Sequence, residues 1–380
     1  MTRQSLSLLF TGLLLLASAA GAAPKVVPTA PGIAGTSYIL QDFQSGHTLA
    51  AENPDQRVEP ASLTKLMTAY VVFDEIRDGH IALEDTTRVS EKAWRTPGSR
   101  MFIEVGSKVS VEKLLKGMII QSGNDASVAL AEYVAGSEDA FAALMNEYAR
   151  ELGLKGTHFV NATGLPDPEH YTTARDMARL TRAVIRAFPD HYAWYSIKSY
   201  AYNGITQYNR NKLLWRDDSV DGVKTGHTES AGYCLISSAK RDDMRLVSVV
   251  MGTSGENARA RESQKLLNWG FRFYETHLLY EADTALKNMR IWKGEREDLA
   301  LGLEDDLYVT VPRGRYEELK ASVTVDTTIT APARKGQRFG SVTVRLGEQT
   351  LAERPLVALR DVAEGGLWQQ MVDGVLLWFQ

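Results

Sequence analysis

The sequence is poor in cysteine and has no excess of basic residues. Cys234 is the single cysteine among 380 residues, so no disulfide can form within the chain, and we expect it in the core of a fold stabilised by packing. Neither a Cys-x-x-Cys nor a His-x-x-x-His pattern occurs, and the sequence therefore predicts no metal site and no other cofactor. The formal net charge of −4 gives no reason to expect a nucleic-acid partner.

Long hydrophobic runs are also missing, and the one clear run stands at the N-terminus. Arg3 precedes an apolar stretch over 6–16, which is too short to span a bilayer comfortably, and small residues follow it. These features predict a secretory signal over 1–22, with an uncleaved anchor as the alternative. In both cases the protein would work outside the cytoplasm.

Basic residues are absent from the C-terminal stretch, which has none after Arg360. Residues 363–380 nevertheless show an amphipathic pattern, with these apolar residues on one side: Leu367, Trp368, Met371, Val372, Val375, Trp378 and Phe379. Aromatic residues suit the membrane interface, and the segment is too short to cross a bilayer. We therefore predict a helix that lies on a membrane surface through apolar burial. A helix packed on the preceding domain or on a partner is the alternative.

The rest of the chain divides into a mixed part and a strand-rich part. Strand-like stretches near 37–52 and 220–251 enclose a helical middle, and a long helix is expected over Ala258–Tyr280. This arrangement predicts an α/β (α+β) unit over 23–282, whose largely antiparallel sheet is flanked by helices and carries a helical lobe. Residues 283–362 alternate between apolar and polar side chains and predict a small all-β domain.

A serine and a lysine one helical turn apart form the first candidate catalytic pair. After Pro60, apolar residues recur with a helical period, so Ser62 is expected to open a helix with Lys65 on the same face. A neutral lysine could take the hydroxyl proton. The Ser-x-x-Lys pattern decides little by itself, because it also occurs at Ser110, which looks like a helix cap, and at Ser237, in a strand-like run.

Two further short motifs contain residues suited to the same chemistry. Ser122 and Asn124 flank a glycine after an apolar helix, where a hydroxyl could relay protons and an amide could hold a substrate carbonyl. Lys224, Thr225 and Gly226 end a strand-like run, where an ammonium and a hydroxyl suit a carboxylate and the glycine leaves room for substrate backbone. Each motif alone would be an ordinary turn or strand end.

The three motifs together, in this order and in these contexts, resemble the penicillin-recognising serine acyl-transfer enzymes. The residues around them are similar to those of the D-alanyl-D-alanine carboxypeptidases, the low-molecular-mass penicillin-binding proteins of the 5 and 6 type, over roughly 33–380. The resemblance implies a β-lactamase/transpeptidase-like fold and removal of the terminal D-alanine from peptidoglycan pentapeptide stems. It also implies acylation by β-lactams and a peripheral place at the periplasmic face of the bacterial inner membrane.

The resemblance further implies roles for individual residues. Ser62 would attack the D-Ala-D-Ala carbonyl with Lys65 as its base, and burial near Lys224 should lower the pKa of the Lys65 amine. Ser122 would help to pass the proton to the leaving D-alanine. Asn124 would hold the acyl-chain amide, and the backbone N–H groups of Ser62 and His227 would bind the oxyanion. The terminal carboxylate would bind Lys224 and Thr225, beside Gly226. Further candidates for that carboxylate are Arg210 and Arg261.

Three other functions fit parts of the pattern. A class A β-lactamase of the same fold would need a Glu-x-x-Leu-Asn loop, which does not occur between Ser122 and Lys224. A transpeptidase would differ only in its acceptor, an amine instead of water. A non-catalytic wall-binding protein is disfavoured, because a binder would have no use for Lys65.

Overall fold

The computed structural model describes residues 26–326 and 328–378. The predicted signal over 1–22 and the last two residues of the predicted C-terminal helix, Phe379 and Gln380, lie outside the described residues. Between 26 and 378, leaving out 327, no helix is long and apolar enough to cross a membrane.

The first unit contains a sheet of five strands in which every pair of neighbours is antiparallel. The strands of this unit are β1 (Ser37–Asp42), β2 (Thr48–Glu52), β3 (Thr86–Arg88), β4 (Lys108–Ser110), β5 (Ser199–Tyr202), β6 (Ile205–Tyr208), β7 (Val220–Thr228), β8 (Gly232–Arg241) and β9 (Met244–Thr253). The main sheet has the order β2-β1-β9-β8-β7, while β3 pairs with β4 and β5 with β6. The predicted antiparallel sheet is therefore confirmed, and β7 forms one of its edges.

Eight α-helices pack around this sheet. They are α1 (Lys65–Arg77), α2 (Glu91–Arg95), α3 (Val111–Gln121), α4 (Asn124–Ala135), α5 (Glu138–Glu151), α6 (Ala174–Ala187), α7 (Pro189–Tyr192) and α8 (Glu256–Phe273). Ser110 caps α3, since its Oγ accepts from the backbone N–H of Lys113, as its sequence context predicted.

Alternating side chains of the central strands enter two different hydrophobic cores. In β1, Ile39 packs on the side of the helical lobe, whereas Leu40 packs on the side of α8. Leu266 and Leu267 of α8 belong to that second core, and Cys234 of β8 is buried in the first. Because both faces of the sheet are covered, a further backbone segment could pair with it only along an edge strand such as β7.

Helix α1 lies at the centre of the helical lobe. Every residue over Lys65–Asp74 is buried, because α3, α4, α5 and α6 surround it. A helix that is enclosed on all sides is held in place by packing and not by one amphipathic stripe. The residues at its N-terminal end are therefore fixed relative to the sheet.

The second unit consists almost entirely of strands. They are β10 (Tyr274–Tyr280), β11 (Lys287–Trp292), β12 (Asp298–Gly302), β13 (Leu307–Pro312), β14 (Leu319–Val325), β15 (Ile329–Thr330), β16 (Arg338–Leu346) and β17 (Gln349–Ala358). Six of them form a sheet of order β14-β16-β17-β12-β11-β15, and β10 pairs with β13. The small all-β domain expected from the sequence is thus present.

The predicted helix over Ala258–Tyr280 is wrong in its second part. Helix α8 ends at Phe273, and the next seven residues form β10, whose backbone pairs with β13 in an antiparallel register that begins at Tyr274 and Pro312. Tertiary pairing with a distant strand here outweighs the local apolar spacing. The predicted boundary at 282/283 falls just after β10 and stays a prediction.

A last helix, α9 (Leu367–Leu377), follows the β domain and is attached to it by its polar side. The Asp373 carboxylate is buried and accepts from the backbone N–H of Lys293 at 2.6 Å, and Arg290 lies 3.4 Å from it. The apolar residues of α9 point outward: Leu367, Trp368, Met371, Val375 and Trp378 are each more than 60% exposed.

A hydroxyl–carboxylate network joins the two units. The fully buried Asp42, at the end of β1, accepts from the backbone and hydroxyl of Ser45 at 2.6 and 2.7 Å and from the Thr276 hydroxyl at 2.8 Å. The Thr310 hydroxyl completes it, 2.6 Å from the Ser45 hydroxyl. The carboxylate thus connects the β1–β2 turn to strands β10 and β13.

We expect Asp42→Ala to lower the free energy of unfolding by about 2–4 kcal/mol, because it removes a fully buried carboxylate that accepts three hydrogen bonds from partly buried donors. Chemical denaturation followed by tryptophan fluorescence measures the change. Asp218→Ala, at an exposed position, is the matched control and should have almost no effect. Equal stability of the two variants would show that the network does not hold the units together.

Candidate active site

The three sequence motifs meet at one cleft between the helical lobe and the edge strand β7. Its volume is about 430 Å³. Of the predicted site residues, those that line it are Ser62, Ser122, Asn124, Arg210, Thr225, Gly226 and His227. Lys65 and Lys224 lie behind this surface, in contact with Ser62 and Ser122 respectively. Only Arg261, among the predicted residues, is kept away from the cleft.

Ser62 lies in a tight turn that leads into α1. Residues Ala61–Thr64 form a 3₁₀ turn, so the helical start predicted from the sequence is present, although its first turn is tighter than an α-helix. Two glycines allow this turn to approach its neighbours closely. A Cβ on Gly164 would lie 1.8 Å from the Ala61 carbonyl oxygen, and one on Gly226 would lie 3.0 Å from the Pro60 carbonyl oxygen.

The Lys65 amine is held between a hydroxyl and a carbonyl. Its Nζ lies 3.0 Å from Ser62 Oγ and donates to the Thr163 carbonyl oxygen at 2.5 Å. Burial and the charge of Arg210 lower the pKa of Lys65 from 10.5 to about 7, and the Asp125 carboxylate offsets part of that effect. The expected lowering is thus present, although its electrostatic part comes from Arg210. A large neutral fraction of the amine is available near neutral pH to accept the Ser62 proton.

Ser122 is presented to the cleft by a backbone turn at the end of α3. Its φ of +67° lies in the left-handed region, so the chain bends at the serine itself. Lys224 Nζ donates to Ser122 Oγ at 2.9 Å and to the Thr225 carbonyl oxygen at 3.1 Å. Burial, followed by the charges of Lys65 and the nearby arginines, holds the pKa of Lys224 well below its ordinary value. The Lys224 amine therefore hydrogen-bonds to Ser122, whereas the sequence suggested only a contact with a substrate carboxylate.

Asn124 lines the cleft and contains a buried acceptor. Its Nδ2 donates to the Pro97 carbonyl oxygen at 2.6 Å, which fixes the amide orientation. Its Oδ1 is buried and has no hydrogen-bond partner in the described structure. A buried amide oxygen without a donor is costly, so it is suited to accept an N–H group from a bound peptide.

Asp125, which sequence reasoning missed, supports the loop that forms the other wall of the cleft. Its carboxylate, almost completely buried, accepts from the backbone N–H groups of Met101, Phe102 and Ile103. The same loop supplies Gly98 and Ser99 to the cleft. The sequence signal for this role was an acidic residue directly after Asn124, at the start of an otherwise apolar helix.

The free edge of β7 forms the opposite wall. Thr225, Gly226 and His227 lie on this edge strand, which among the described residues pairs only with β8. The His227 ring is exposed and lies against Tyr233, with ring centroids 3.9 Å apart. An extended peptide could pair with the backbone of this edge. Gly226, expected from the sequence to leave room for substrate backbone, lines the cleft at this edge.

The predicted Arg261 is corrected to Arg259. Arg261 is directed away from the cleft, where its Nε donates to Glu262 at 3.0 Å and its side chain is 58% exposed. Arg259 lines the cleft, is 4% exposed and donates to the Gly226 carbonyl oxygen at 3.1 Å. Residues two apart on a helix face different directions. The sequence contained a signal that Arg259 points inward, because it lies two turns before the core residue Leu266, on the same face of α8.

Comparison with known proteins agrees with this geometry. A family model described as D-alanyl-D-alanine carboxypeptidase matches residues 24–255, and the model of the penicillin-binding protein 5 C-terminal domain matches 274–364. The chain belongs to the D-alanyl-D-alanine carboxypeptidase family. It is a serine-type D-Ala-D-Ala carboxypeptidase, a hydrolase of the bacterial cell wall.

Two of the relatives cover most of this carboxypeptidase, and a third covers less of it. D-alanyl-D-alanine carboxypeptidase DacC of Escherichia coli is 44% identical over 97% of this chain and 94% of its own. The crystal structure of penicillin-binding protein 5 from Haemophilus influenzae has a TM-score of 0.85 at 43% identity, covering 89% of this chain and all of the other. Penicillin-binding protein D2 from Listeria monocytogenes, in an ampicillin-bound form, has a TM-score of 0.59 at 27% identity and covers 63% of this chain and all of the other.

The two arginines of α8 provide a matched pair of variants. We expect Arg259→Ala to lower kcat/KM for a D-Ala-D-Ala peptide by roughly ten- to hundredfold, since it removes a buried cation from the cleft. Arg261→Ala should leave kcat/KM within about twofold, because an exposed ion pair contributes little. D-alanine release from a pentapeptide measures both. Equal losses in the two variants would contradict the correction.

Proposed function

We propose that Ser62 of this carboxypeptidase is the nucleophile and Lys65 its general base. The observation that carries the proposal is the position of the Lys65 amine, 3.0 Å from Ser62 Oγ, with a pKa lowered to about 7. Ser62 Oγ would bond to the carbonyl carbon of the penultimate D-alanine while its proton moves to Lys65. The backbone N–H groups of Ser62 and His227 would stabilise the oxyanion that forms.

Collapse of this intermediate would break the peptide bond and leave an ester on Ser62. The departing amine of D-alanine needs a proton, which Ser122, hydrogen-bonded to Lys224 Nζ at 2.9 Å, would deliver, and the proton that Lys65 took from Ser62 would replace it on Ser122. Lys65, neutral again, would then take a proton from the water that attacks the ester and return it to Ser62 Oγ as the shortened stem leaves. This sequence requires no cofactor.

The other residues of the cleft would orient the stem peptide. The free Oδ1 of Asn124 would accept an N–H group of the acyl chain, and the edge of β7 would pair with its backbone. The terminal carboxylate would bind Thr225 and Arg259, with Arg210 at the entrance. The charges of these arginines also explain why a substrate with a free carboxylate is suited to the cleft.

The same machinery would be acylated by β-lactams. A β-lactam amide is opened by the same attack of Ser62, and its carboxylate would take the position of the terminal carboxylate. The ampicillin-bound form of the Listeria relative supports this extension to the present chain.

We expect peptide mapping of penicillin-labelled protein to place the adduct on Ser62. Ser62→Ala should abolish labelling and D-alanine release, and Lys65→Arg should reduce acylation by at least about a hundredfold, because arginine stays charged near neutral pH. In the parent enzyme acylation should rise with pH through about 7, since the active form is the neutral Lys65 amine.

Circular dichroism of both variants is the control, since neither substitution should unfold the protein. An adduct on Ser110 or Ser237 would overturn the assignment of the nucleophile. Retention of most of the acylation rate in Lys65→Arg would transfer the role of the base to another group.

We also propose that the enzyme is exported and binds the periplasmic face of the inner membrane through α9. The apolar side of this helix is exposed, with Trp368 at 76% and Trp378 at 92%, while Asp373 attaches the polar side to the β domain. A large outward-facing apolar surface of this kind suits burial at the membrane interface.

Removal of residues 366–380 should abolish vesicle binding and leave activity on small peptides unchanged. Each buried apolar side chain contributes roughly 1.5–3 kcal/mol. The double variant Trp368→Glu, Met371→Glu should therefore weaken binding, whereas Gln349→Glu, an added charge on the β domain, should not. Flotation with zwitterionic and anionic vesicles measures this. Release of the full chain by moderate salt would show that charge, not apolar burial, holds it.

A further inference from the structure

A buried histidine lies behind the catalytic turn. His170 is 2% exposed and lies near the end of residues 159–172, which we name the cradle segment. The cleft contains Thr163, Gly164 and Leu165 of this segment, but the imidazole itself does not line it. The ring therefore cannot touch substrate, and its role must be exerted through the residues it contacts.

The cradle segment contacts the start of α1 at four places. The Thr163 carbonyl oxygen accepts from Lys65 Nζ at 2.5 Å, and the Ala162 carbonyl oxygen accepts from the Thr68 hydroxyl at 2.8 Å. Gly164 packs directly against the Ala61 carbonyl. The fourth contact is a hydrogen bond of 2.8 Å between His170 Nε2 and Thr64 Oγ1.

The imidazole also connects the two ends of the cradle segment. The backbone N–H of Val160 donates to His170 Nδ1 at 3.1 Å, so Nδ1 carries no proton and the neutral ring must carry its proton on Nε2. Nε2 consequently donates to Thr64. Burial lowers the pKa of His170 to about 4, so both bonds persist at neutral pH.

We propose that His170 is a positioning residue which, by joining Val160 to Thr64, keeps the Thr163 carbonyl and the Lys65 amine in place beside Ser62. Thr64 directly precedes Lys65, and Val160 lies three residues before Thr163. One side chain thus connects the two backbone segments on which the position of the amine depends. The inference rests on the proposed roles of Ser62 and Lys65.

Loosening of the cradle segment should have a distinct effect on pH dependence. The charged groups that act on the Lys65 amine are Arg210, which opposes its protonation, and Asp125, which favours it; the Lys224 amine also lies nearby. The titratable groups around His170 are Asp167, His158 and Lys65. If water reaches the amine, the desolvation that lowers the pKa of Lys65 weakens, and its pKa rises from about 7 towards 10.5.

The experiment compares Thr64→Val and His170→Leu with the parent enzyme. Acylation by a fluorescent penicillin is followed from pH 5 to 10. We expect the half-maximal rate to occur about one pH unit higher in both variants, with rates at pH 6 reduced about tenfold and largely recovered near pH 10. The double variant should lose no more than His170→Leu alone, because the bond that Thr64→Val removes is one of the two that His170→Leu removes.

Three controls separate positioning from general damage. Thr64→Ser keeps the hydroxyl and should restore the parent profile. His158→Leu, next to the cradle segment, removes a ring whose Nδ1 bonds to the Glu169 carbonyl oxygen and should leave the profile unchanged. Thermal unfolding of every variant shows whether it is folded at the assay temperature. If His170→Leu does not fold, the two Thr64 variants still decide the outcome.

An unchanged pH profile in folded Thr64→Val would overturn the role of His170. A loss of equal size at every pH would also do so, since it would mean damage to the fold and not a changed environment of Lys65. These outcomes are distinct from failure of the proposed function. In that case the parent enzyme itself would show no penicillin adduct on Ser62.

Discussion

The burial of the Lys65 amine is the constraint on which the rest of the site depends. The amine is almost completely excluded from water, its hydrogen-bond partners are a hydroxyl and a carbonyl, and the Lys224 amine and Arg210 guanidinium lie nearby. Such surroundings penalise the charged ammonium form of Lys65 and thereby stabilise the neutral amine. The low pKa of Lys65 is therefore a property of the whole assembly and would disappear if water entered.

Exclusion of water in turn depends on how the start of α1 is enclosed. The helix is surrounded by four others, β7 approaches it through Gly226, and the cradle segment approaches it through Gly164. At both glycines a Cβ would collide with, or press on, backbone carbonyl oxygens. The close approach packs the turn over Ala61–Thr64 tightly between β7 and the cradle segment.

The cleft combines the Lys65 amine with a guanidinium and a carboxylate that hold its walls in place. Arg259 is held against the β7 backbone, and Asp125 supports the opposite loop with several backbone bonds. In the proposed reaction, an anionic substrate terminus is drawn to the end near Arg259, while proton transfer occurs at the end near Lys65. The two ends are on different segments, so their spacing is set by the packing of the helical lobe on the sheet.

The sequence by itself determined the residue types of the site and most of the regular structure. Spacing identified the Ser62–Lys65 pair, and period-2 alternation identified the strands of the β domain. Resemblance in the three motifs was needed to join them, because Ser-x-x-Lys also occurs at Ser110 and Ser237. These features could be predicted because they depend on near neighbours in the chain.

Only the tertiary structure decided what depends on distant partners. It showed that Arg259, and not Arg261, lines the cleft. The direction of a helical side chain relative to the cleft depends on how α8 is rotated against the sheet. It showed that Tyr274–Tyr280 form a strand, because their backbone pairs with β13, which local spacing does not reveal. It also brought His170 to Thr64, 106 residues away in the chain. Contacts of this kind arise from packing, which no local pattern of residues encodes.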